Sequence, residues 1–436
     1  MIRRALDSGP LSEREFRLLF TGQALSVIGD GIAPIAIAFA VLDLTHSATD
    51  LGLVLTAGYA PMVAFLLVGG VWADRLSRRG VMLVADAVRA CTQATIGALL
   101  LTGSARLWQL VALQIVYGIA AAFFRPAATG LIPATVSSPR LQAANAFLGM
   151  SSSLGFTVGP AVGGVLVAGF GTGTAFLFDA ASFLWSIAFL ARMHPRALAP
   201  AEAQPFLRDL SDGFQEVRSR TWLWASILCV ALTLMIQEAP IQVLGPVIAR
   251  VHFNGAAAWA ATETAFGAGT IIGGATALRL SPERPLMFAN LCFLLAVPSS
   301  FAFGIPAPLP VIVASELAAG WSLGLYLPIW ETLVQERIPA GALSRVSAYD
   351  WMGSLVFLPL GLALAGPVAG LIGVAATLIG GGIFCAVATI VLATVPDVRA
   401  IQRLPTAPVS ETATAGGPAD EASRTTPVAS QPTTAD

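Results

Sequence analysis

The chain has 436 residues, of which 56% are apolar and 11% charged, and its net charge is −1. A soluble domain carries roughly 25% charged residues, so this composition excludes a water-soluble globule of such length. The near-neutral charge gives no basic face for nucleic acid, and all 24 basic residues are Arg.

The first sixteen residues are polar, and Ser12-Glu-Arg-Glu15 reads as a capping box opening a helix. They lead straight into a segment long enough to span, as a start-anchor helix does, without a cleavage site. A bilayer crossing needs about 20 mostly apolar residues. Such segments are predicted at 17–42, 50–73, 81–103, 107–128, 142–168, 173–193, 222–248, 257–279, 286–304, 308–333, 346–370 and 373–395. The expected fold is an all-α membrane protein of about twelve transmembrane helices in two pseudo-symmetric six-helix bundles. The bundles would be 17–193 and 222–399, after an N-terminus of 1–16. The linker at 194–221 holds Pro195, Pro200 and Pro205, then Phe206, Leu210, Phe214 and Val217 at helical spacing, an amphipathic helix. Residues 400–436 lack apolar periodicity and read as a disordered tail.

With the N-terminus placed in the cytoplasm, twenty arginines fall on the cytoplasmic side. Only Arg106 and Arg250 fall opposite, and Arg89 and Arg125 lie within segments. That bias puts both termini in the cytoplasm of a multi-pass cell-membrane protein. The halves also repeat. Gly70-Val-Trp-Ala-Asp-Arg-Leu-Ser77 aligns with Gly274-Ala-Thr-Ala-Leu-Arg-Leu-Ser281, and Gly159-Pro160-Ala-Val-Gly163 with Gly366-Pro367-Val-Ala-Gly370. Duplicated six-helix units recur in secondary transporters, with sites near the midplane between halves.

Gly70-Val-Trp-Ala-Asp74-Arg75-Leu-Ser-Arg78-Arg79-Gly80 joins the second and third segments. It resembles the G-x-x-x-D-R-x-G-R-R signature loop of the major facilitator superfamily, with Ser77 at the usual Gly. The arginines alone would serve topology, but Asp74 would not, so an ionic latch closing the cytoplasmic side is expected. The resemblance makes Asp350, which opens the eleventh segment, its partner. Gly155-Phe-Thr-Val-Gly159-Pro160-Ala-Val-Gly163-Gly164 presents a smooth face for close helix packing. It is similar to the G-x-x-x-G-P-x-x-G-G motif of exporters in that superfamily, with Ala146 at an upstream Gly. Drug/proton exporters often carry an Arg four residues before a Gly in the fourth segment; here Gly118 is preceded by Gln114. Phe16-Arg-Leu-Leu-Phe-Thr-Gly-Gln23, Ser26 to Asp30 and Arg125-Pro-Ala127 look more like the macrolide-efflux and enterobactin-exporter branch.

Ionisable residues inside a bilayer cost roughly 2.5–3.5 kcal/mol at the centre on insertion scales and default to functional candidates. Asp30 and Glu238 lie midway along the first and seventh segments, where two acids facing a cavity would bind a cation or proton; Glu316 is a further candidate. Glu263 and Asp179 read as residues near the interface. Asp86, Arg89, Arg125 and Glu331 are expected to form a salt-bridge cluster near the cytoplasmic end, or to snorkel there. Trp321, Tyr326 and Trp330 would stack on a substrate or pack. Cys91, Cys229, Cys292 and Cys385 and the three histidines form no metal-ligating pattern, and no cofactor is expected. There is no phosphate-binding G-x-x-x-x-G-K-[ST] loop, which excludes direct use of ATP by this chain. The expected function is proton-coupled efflux of a small amphipathic compound, a drug, macrolide or siderophore, by a monomer in the lipid bilayer. The alternatives are a proton-coupled nutrient importer and a non-transporting sensor or scaffold. No hydrolytic constellation suggests an enzyme.

Overall fold

The computed structural model describes residues 9–196, 213–339 and 342–403, without the side chains of residues 67–75 and 344. Among these residues every regular element is helical. The first six long helices are α1 (Arg14–Thr45), α2 (Ala48–Arg75), α3 (Arg78–Leu101), α4 (Leu107–Leu131), α5 (Leu141–Phe170) and α6 (Thr172–Leu190). Six more follow: α7 (Thr221–Thr233, continued by Ala239–His252), α8 (Ala256–Ala277), α9 (Pro285–Cys292, continued by Val297–Gly304), α10 (Leu309–Arg337), α11 (Leu343–Leu355, continued by Leu358–Ile372) and α12 (Val374–Thr394). Each coincides with one predicted segment to within a few residues.

Among the described residues, eleven helices are long and apolar enough to cross a membrane. The twelfth, α8, is rich in Gly, Ala and Thr and carries Glu263, so it falls short in hydropathy rather than length. It is packed between α5 and α10 through glycine. A Cβ at Gly269 or Gly273 would overlap α10 backbone, and one at Gly320 or Gly324 would overlap α8 backbone. Reciprocal small residues of this kind let two backbones meet without side chains between them. Large apolar side chains such as Met150, Phe156, Phe170 and Leu371 point outward, as a lipid-facing surface requires.

Proline sets the helix breaks. The ring of Pro240 would clash with the carbonyl four residues back. Helix α7 widens there into a π-turn, Leu234–Glu238, which carries Glu238. Pro298 follows a 3-10 turn in α9, and Pro359 follows the break in α11.

Three apolar cores organise the bundles. One spans both bundles where α1 and α7 finish, bringing Val41 and Leu51 into the same cluster as Leu244, Trp259 and Leu362. At the opposite, arginine-rich end the cores are separate. Phe16, Met82, Leu131 and Leu190 build one within the first bundle, and Trp222, Leu286, Trp330 and Val346 build one within the second. The bundles therefore join at one end and part toward the other, leaving a cleft. Their seams are glycine-lined. In α2–α11, Gly52 lies under the Leu362 carbonyl, Gly366 lies on Thr49, and the Thr56 hydroxyl donates to the Pro359 carbonyl at 3.1 Å. In α5–α8, Gly164 meets Ala260 and Gly267 meets Phe156 and Thr157. An ion pair of Arg250 Nη1 with Asp43 Oδ1, 3.0 Å, ties the end of α7 to the end of α1.

The expected packing motif divides its work. Gly155, Gly159 and Gly163 press on α1 at Val27, Gly31 and Ile32, Gly164 faces the second bundle, and Pro160 is buried. The aligned Gly366 instead sits on α2 of the other bundle. The capping box does not form. Ser12 donates its hydroxyl to the Gly9 carbonyl at 2.7 Å within a 3-10 turn, and Glu13 stands at the helix N-cap position. Of the expected amphipathic linker helix, Phe206 and Leu210 lie outside the described residues. Residues 213–218 are helical, with Val217 buried beside Trp222 and Phe214 exposed. The expected disordered tail also lies outside them beyond residue 403.

Glu13 straps the start of α1 to the α4–α5 connection. Its Oε1 accepts from the Ser137 amide (2.9 Å), the Ser137 hydroxyl (2.7 Å) and Arg140 (3.2 Å). These bonds, the Ser137 amide foremost, hold its carboxyl below the usual 4.5. A carboxylate favoured in the fold stabilises above its unfolded pKa, and that contribution is lost as pH falls through the lowered folded value. Glu13→Gln is therefore expected to lower the melting temperature of detergent-purified protein at neutral pH, and the gap to wild type should close as the pH drops below about 4. The Arg250–Asp43 pair is partly exposed and worth at most about 1 kcal/mol. Arg250→Gln should raise the population open at that end by no more than about fivefold, read from spin-label distances between α1 and α7.

Candidate functional site

Asp30 owes its position to Gly29 and Gly31. A Cβ at Gly29 would overlap the Asp179 carboxylate and the Ser182 hydroxyl on α6, and one at Gly31 would overlap the Gly155 carbonyl on α5. The two glycines let α1 lie flat on α5 and α6, and Asp30, midway along α1, keeps 40% of its side chain exposed. Its free side opens on the cleft. Behind it lies Arg89 of α3, only 3% exposed. Arg89 donates to Asp86 one turn earlier, and its Nη1 stands 3.6 Å from Asp30 Oδ1. The guanidinium is sandwiched between Phe124 (4.0 Å) and Phe183 (4.3 Å). Asp86 also accepts from Ser186 of α6 at 2.7 Å, and Asp30 accepts from the Tyr117 hydroxyl of α4 at 3.1 Å. Deeper still, Gln93 Nε2 donates to Asp179 Oδ2 at 2.6 Å. A buried charge needs a partner, and this network gives Arg89 two carboxylates, with groups from four helices taking part; the Arg89 Nε and the Gln93 Oε1 are left without a hydrogen-bond partner.

The second bundle is built differently. Glu238 projects from the π-turn and accepts from Gln242 at 3.1 Å. Its neighbour Gln237 turns the other way and donates to Ala296 O (2.9 Å) and Ser300 Oγ (3.1 Å), pinning α7 to α9. Glu316, 6% exposed, accepts from the Ser299 hydroxyl. Glu238, Glu263 and Glu316 lie within Coulomb reach of one another, and Tyr59 of α2 lies within reach of Glu238, Glu263 and Arg125. Among the described residues these three acids form no salt bridge.

The expected cluster of Asp86, Arg89, Arg125 and Glu331 is thus half formed. Asp86 and Arg89 pair, but their third partner is Asp30, because α3 buries them midway along the bundle. Arg125 and Glu331 are exposed and make no ion pair among the described residues. The side chains of Asp74 and Arg75 lie outside the described residues. Arg78 donates to the Gly130 carbonyl, and Arg79 to the Leu190 (2.8 Å) and Ala191 (2.6 Å) carbonyls. Both arginines cap the ends of α4 and α6 within their own bundle, where cations meet the negative end of the helix dipole. Asp350 accepts from the Trp330 indole at 2.7 Å. Trp330 and Tyr326 are stacked core residues, and Trp321 packs on α8, so these three rings build the bundle and do not line the cleft as a stacking platform.

Sequence reasoning missed Gln93, Tyr117 and Ser186, and it placed Asp179 near the interface when it is wholly buried. Three-residue spacing does show Asp86 and Arg89 on one face.

This architecture defines a polytopic helical membrane protein with an acid-lined cleft between two bundles. The family model of the Major Facilitator Superfamily matches residues 19–357. The chain belongs to that superfamily and is a transporter, not an enzyme. It is 26% identical over 373 residues to macrolide efflux protein A of Streptococcus pyogenes, covering 83% of this chain and 90% of that one. It is 27% identical over 360 residues to the enterobactin exporter EntS of Salmonella typhimurium, covering 80% and 84%. A bacterial homologue of the human lysosomal transporter Spinster superposes with a TM-score of 0.69 at 16% identity, covering 90% of this chain and 98% of that one, a likeness of fold.

Removing one partner of a buried ion pair costs about 3–5 kcal/mol. Arg89→Leu is expected to lower thermal stability by that order, with Arg125→Leu close to neutral, in the same detergent melting assay.

Proposed function

We propose that the chain is a proton-coupled exporter of a small amphipathic compound, working by alternating access across the cleft. The observation that carries this reading is Asp30, a mid-helix carboxylate open to the cleft on one side and in contact with Arg89 and Tyr117 on the other. A carboxyl reached by the cleft on one side and by a guanidinium and a phenol on the other is placed to exchange a proton or a cation as the cleft opens and closes. Glu238 and Glu316 supply the equivalent acids in the second bundle. The arginine bias puts both termini, and the open end of the cleft, on the cytoplasmic side of the cell membrane. Loading from the cytoplasm fits export, as do relatives named for macrolide and enterobactin efflux. In this reading Asp74, Arg75, Arg78, Arg79 and Asp350 assemble at the cytoplasmic end when the cleft closes there. Arg78 and Arg79 already anchor one side of that gate to α4 and α6.

The test is drug susceptibility and dye accumulation in a bacterial host stripped of its own efflux pumps. Wild type should lower accumulation of a cationic dye or a macrolide, and Asp30→Asn at matched expression should abolish the effect. Unchanged accumulation of cationic dyes, macrolides and siderophores overturns the export reading.

A further inference from the structure

Three carboxyl groups in the first bundle, Asp30, Asp86 and Asp179, share one guanidinium. Arg89 engages the first two and makes no hydrogen bond to the third. Asp179 is 0% exposed on α6, and its oxygens meet only the Gln93 amide (2.6 Å) and, more distantly, the Ser182 hydroxyl (3.4 Å). Ser182 points its donor chiefly at the Asp179 backbone carbonyl, 2.7 Å away. The charged and titratable groups facing Asp179 are Asp30 from α1, Arg89 from α3 and Tyr117 from α4. Helix α5 and the rest of α6 hold none. An ionised Asp179 would be a second net negative charge in an apolar bundle, without a cation of its own.

A second observation points the same way. Gln93 is 1% exposed, and while its Nε2 serves Asp179 its Oε1 has no hydrogen-bond partner. A proton on Asp179 completes the pair. The acid O–H donates to Gln93 Oε1, and the Gln93 N–H donates to the other carboxyl oxygen, giving a two-bond ring; the ionised acid can make only one of those bonds. We infer that Asp179 and Gln93 form a buried proton-binding site behind Asp30. The proton comes from hydronium in the cleft, whose O–H bond breaks to leave water as the carboxyl O–H forms. The inference deepens the proton-coupled reading above and rests on it. It lets the bundle hold a proton behind Asp30, whose own carboxyl faces the cleft beside Arg89.

The test needs no substrate: pH-difference infrared spectra of the full chain in lipid nanodiscs. Among the carbonyl stretches of protonated carboxylic acids that disappear on raising the pH, wild type should show one that Asp179→Asn lacks. Gln93→Leu should keep the band at higher frequency, because its hydrogen bonds are gone; this keeps the test decisive if Asp179→Asn folds poorly. Asp30→Asn should keep the band but move its titration to lower pH, since the neighbouring negative charge is removed. A wild-type spectrum without such a band, a band unchanged in Asp179→Asn, or a band unmoved by Gln93→Leu overturns the inference. A band removed by Asp30→Asn alone also overturns it, by placing the proton on Asp30, and leaves the proton-coupled reading intact. A band assigned to Asp179 alongside dye export indifferent to Asp30→Asn supports the inference and tells against the transport reading instead.

Discussion

The first bundle is organised around a guanidinium that cannot leave the membrane interior. Arg89 sits midway along α3 between two phenyl rings, too deep to reach the headgroups by snorkelling. Its charge must be met where it lies. Asp86 meets it from the same helix, Asp30 from α1, and Ser186 and Tyr117 fix those carboxylates from α6 and α4. Glycines at 29 and 31 are the geometric condition, since any side chain there would push α1 off its neighbours and carry Asp30 away from Arg89. Charge neutralisation and close packing are therefore one requirement met by adjacent residues.

The second constraint is how the bundles join. One shared apolar core at one end and two private cores at the other make each bundle a rigid body with its own stiffening at the parted end. The strap of Glu13 on Ser137 and Arg140, and the Arg79 caps on α6, keep the first bundle's open end intact without help from the second. A seam of glycines and small side chains has few interlocking knobs, so two rigid bodies can rock across it at low cost. The Asp43–Arg250 pair adds a polar contact to the joined end that water can readily replace.

The helices were legible because a bilayer imposes a strong, simple rule, about 20 apolar residues at a time, and eleven of the described helices obey it. Even α8, the least apolar, was visible by its length and place in the duplication. The breaks in α7, α9 and α11, beside Pro240, Pro298 and Pro359, were not read from the sequence, which showed each of these helices as one unbroken segment. The site was legible only in part. Asp30 and Glu238 stood out as acids in apolar runs. The pairing of Arg89 with Asp30 was not readable, because it depends on which faces of α1 and α3 meet. Asp179 looked peripheral by its place in the segment, and only the rotation of α6 buries it against Gly29. For Trp330 and Tyr326 the sequence left stacking on a substrate and packing open, and the structure has them stacked in the core with Trp330 donating to Asp350.

The two bundles, descended from one repeated pattern, now hold their acids in opposite ways. In the first, Asp30 and Asp86 share a counter-charge in Arg89. In the second, Glu238, Glu263 and Glu316 have amide and hydroxyl donors and one another, among the described residues. Among the described residues no guanidinium pairs with any of the three. Closing the cleft around them therefore demands a neutralising proton or cation, and reopening it releases that demand. Within the proposed cycle this makes the second bundle the part whose charge state follows the cleft most closely. The first bundle holds a fixed field against which that change is felt, and a cationic compound entering the cleft would meet three uncompensated carboxylates on one wall and a single partly engaged one on the other.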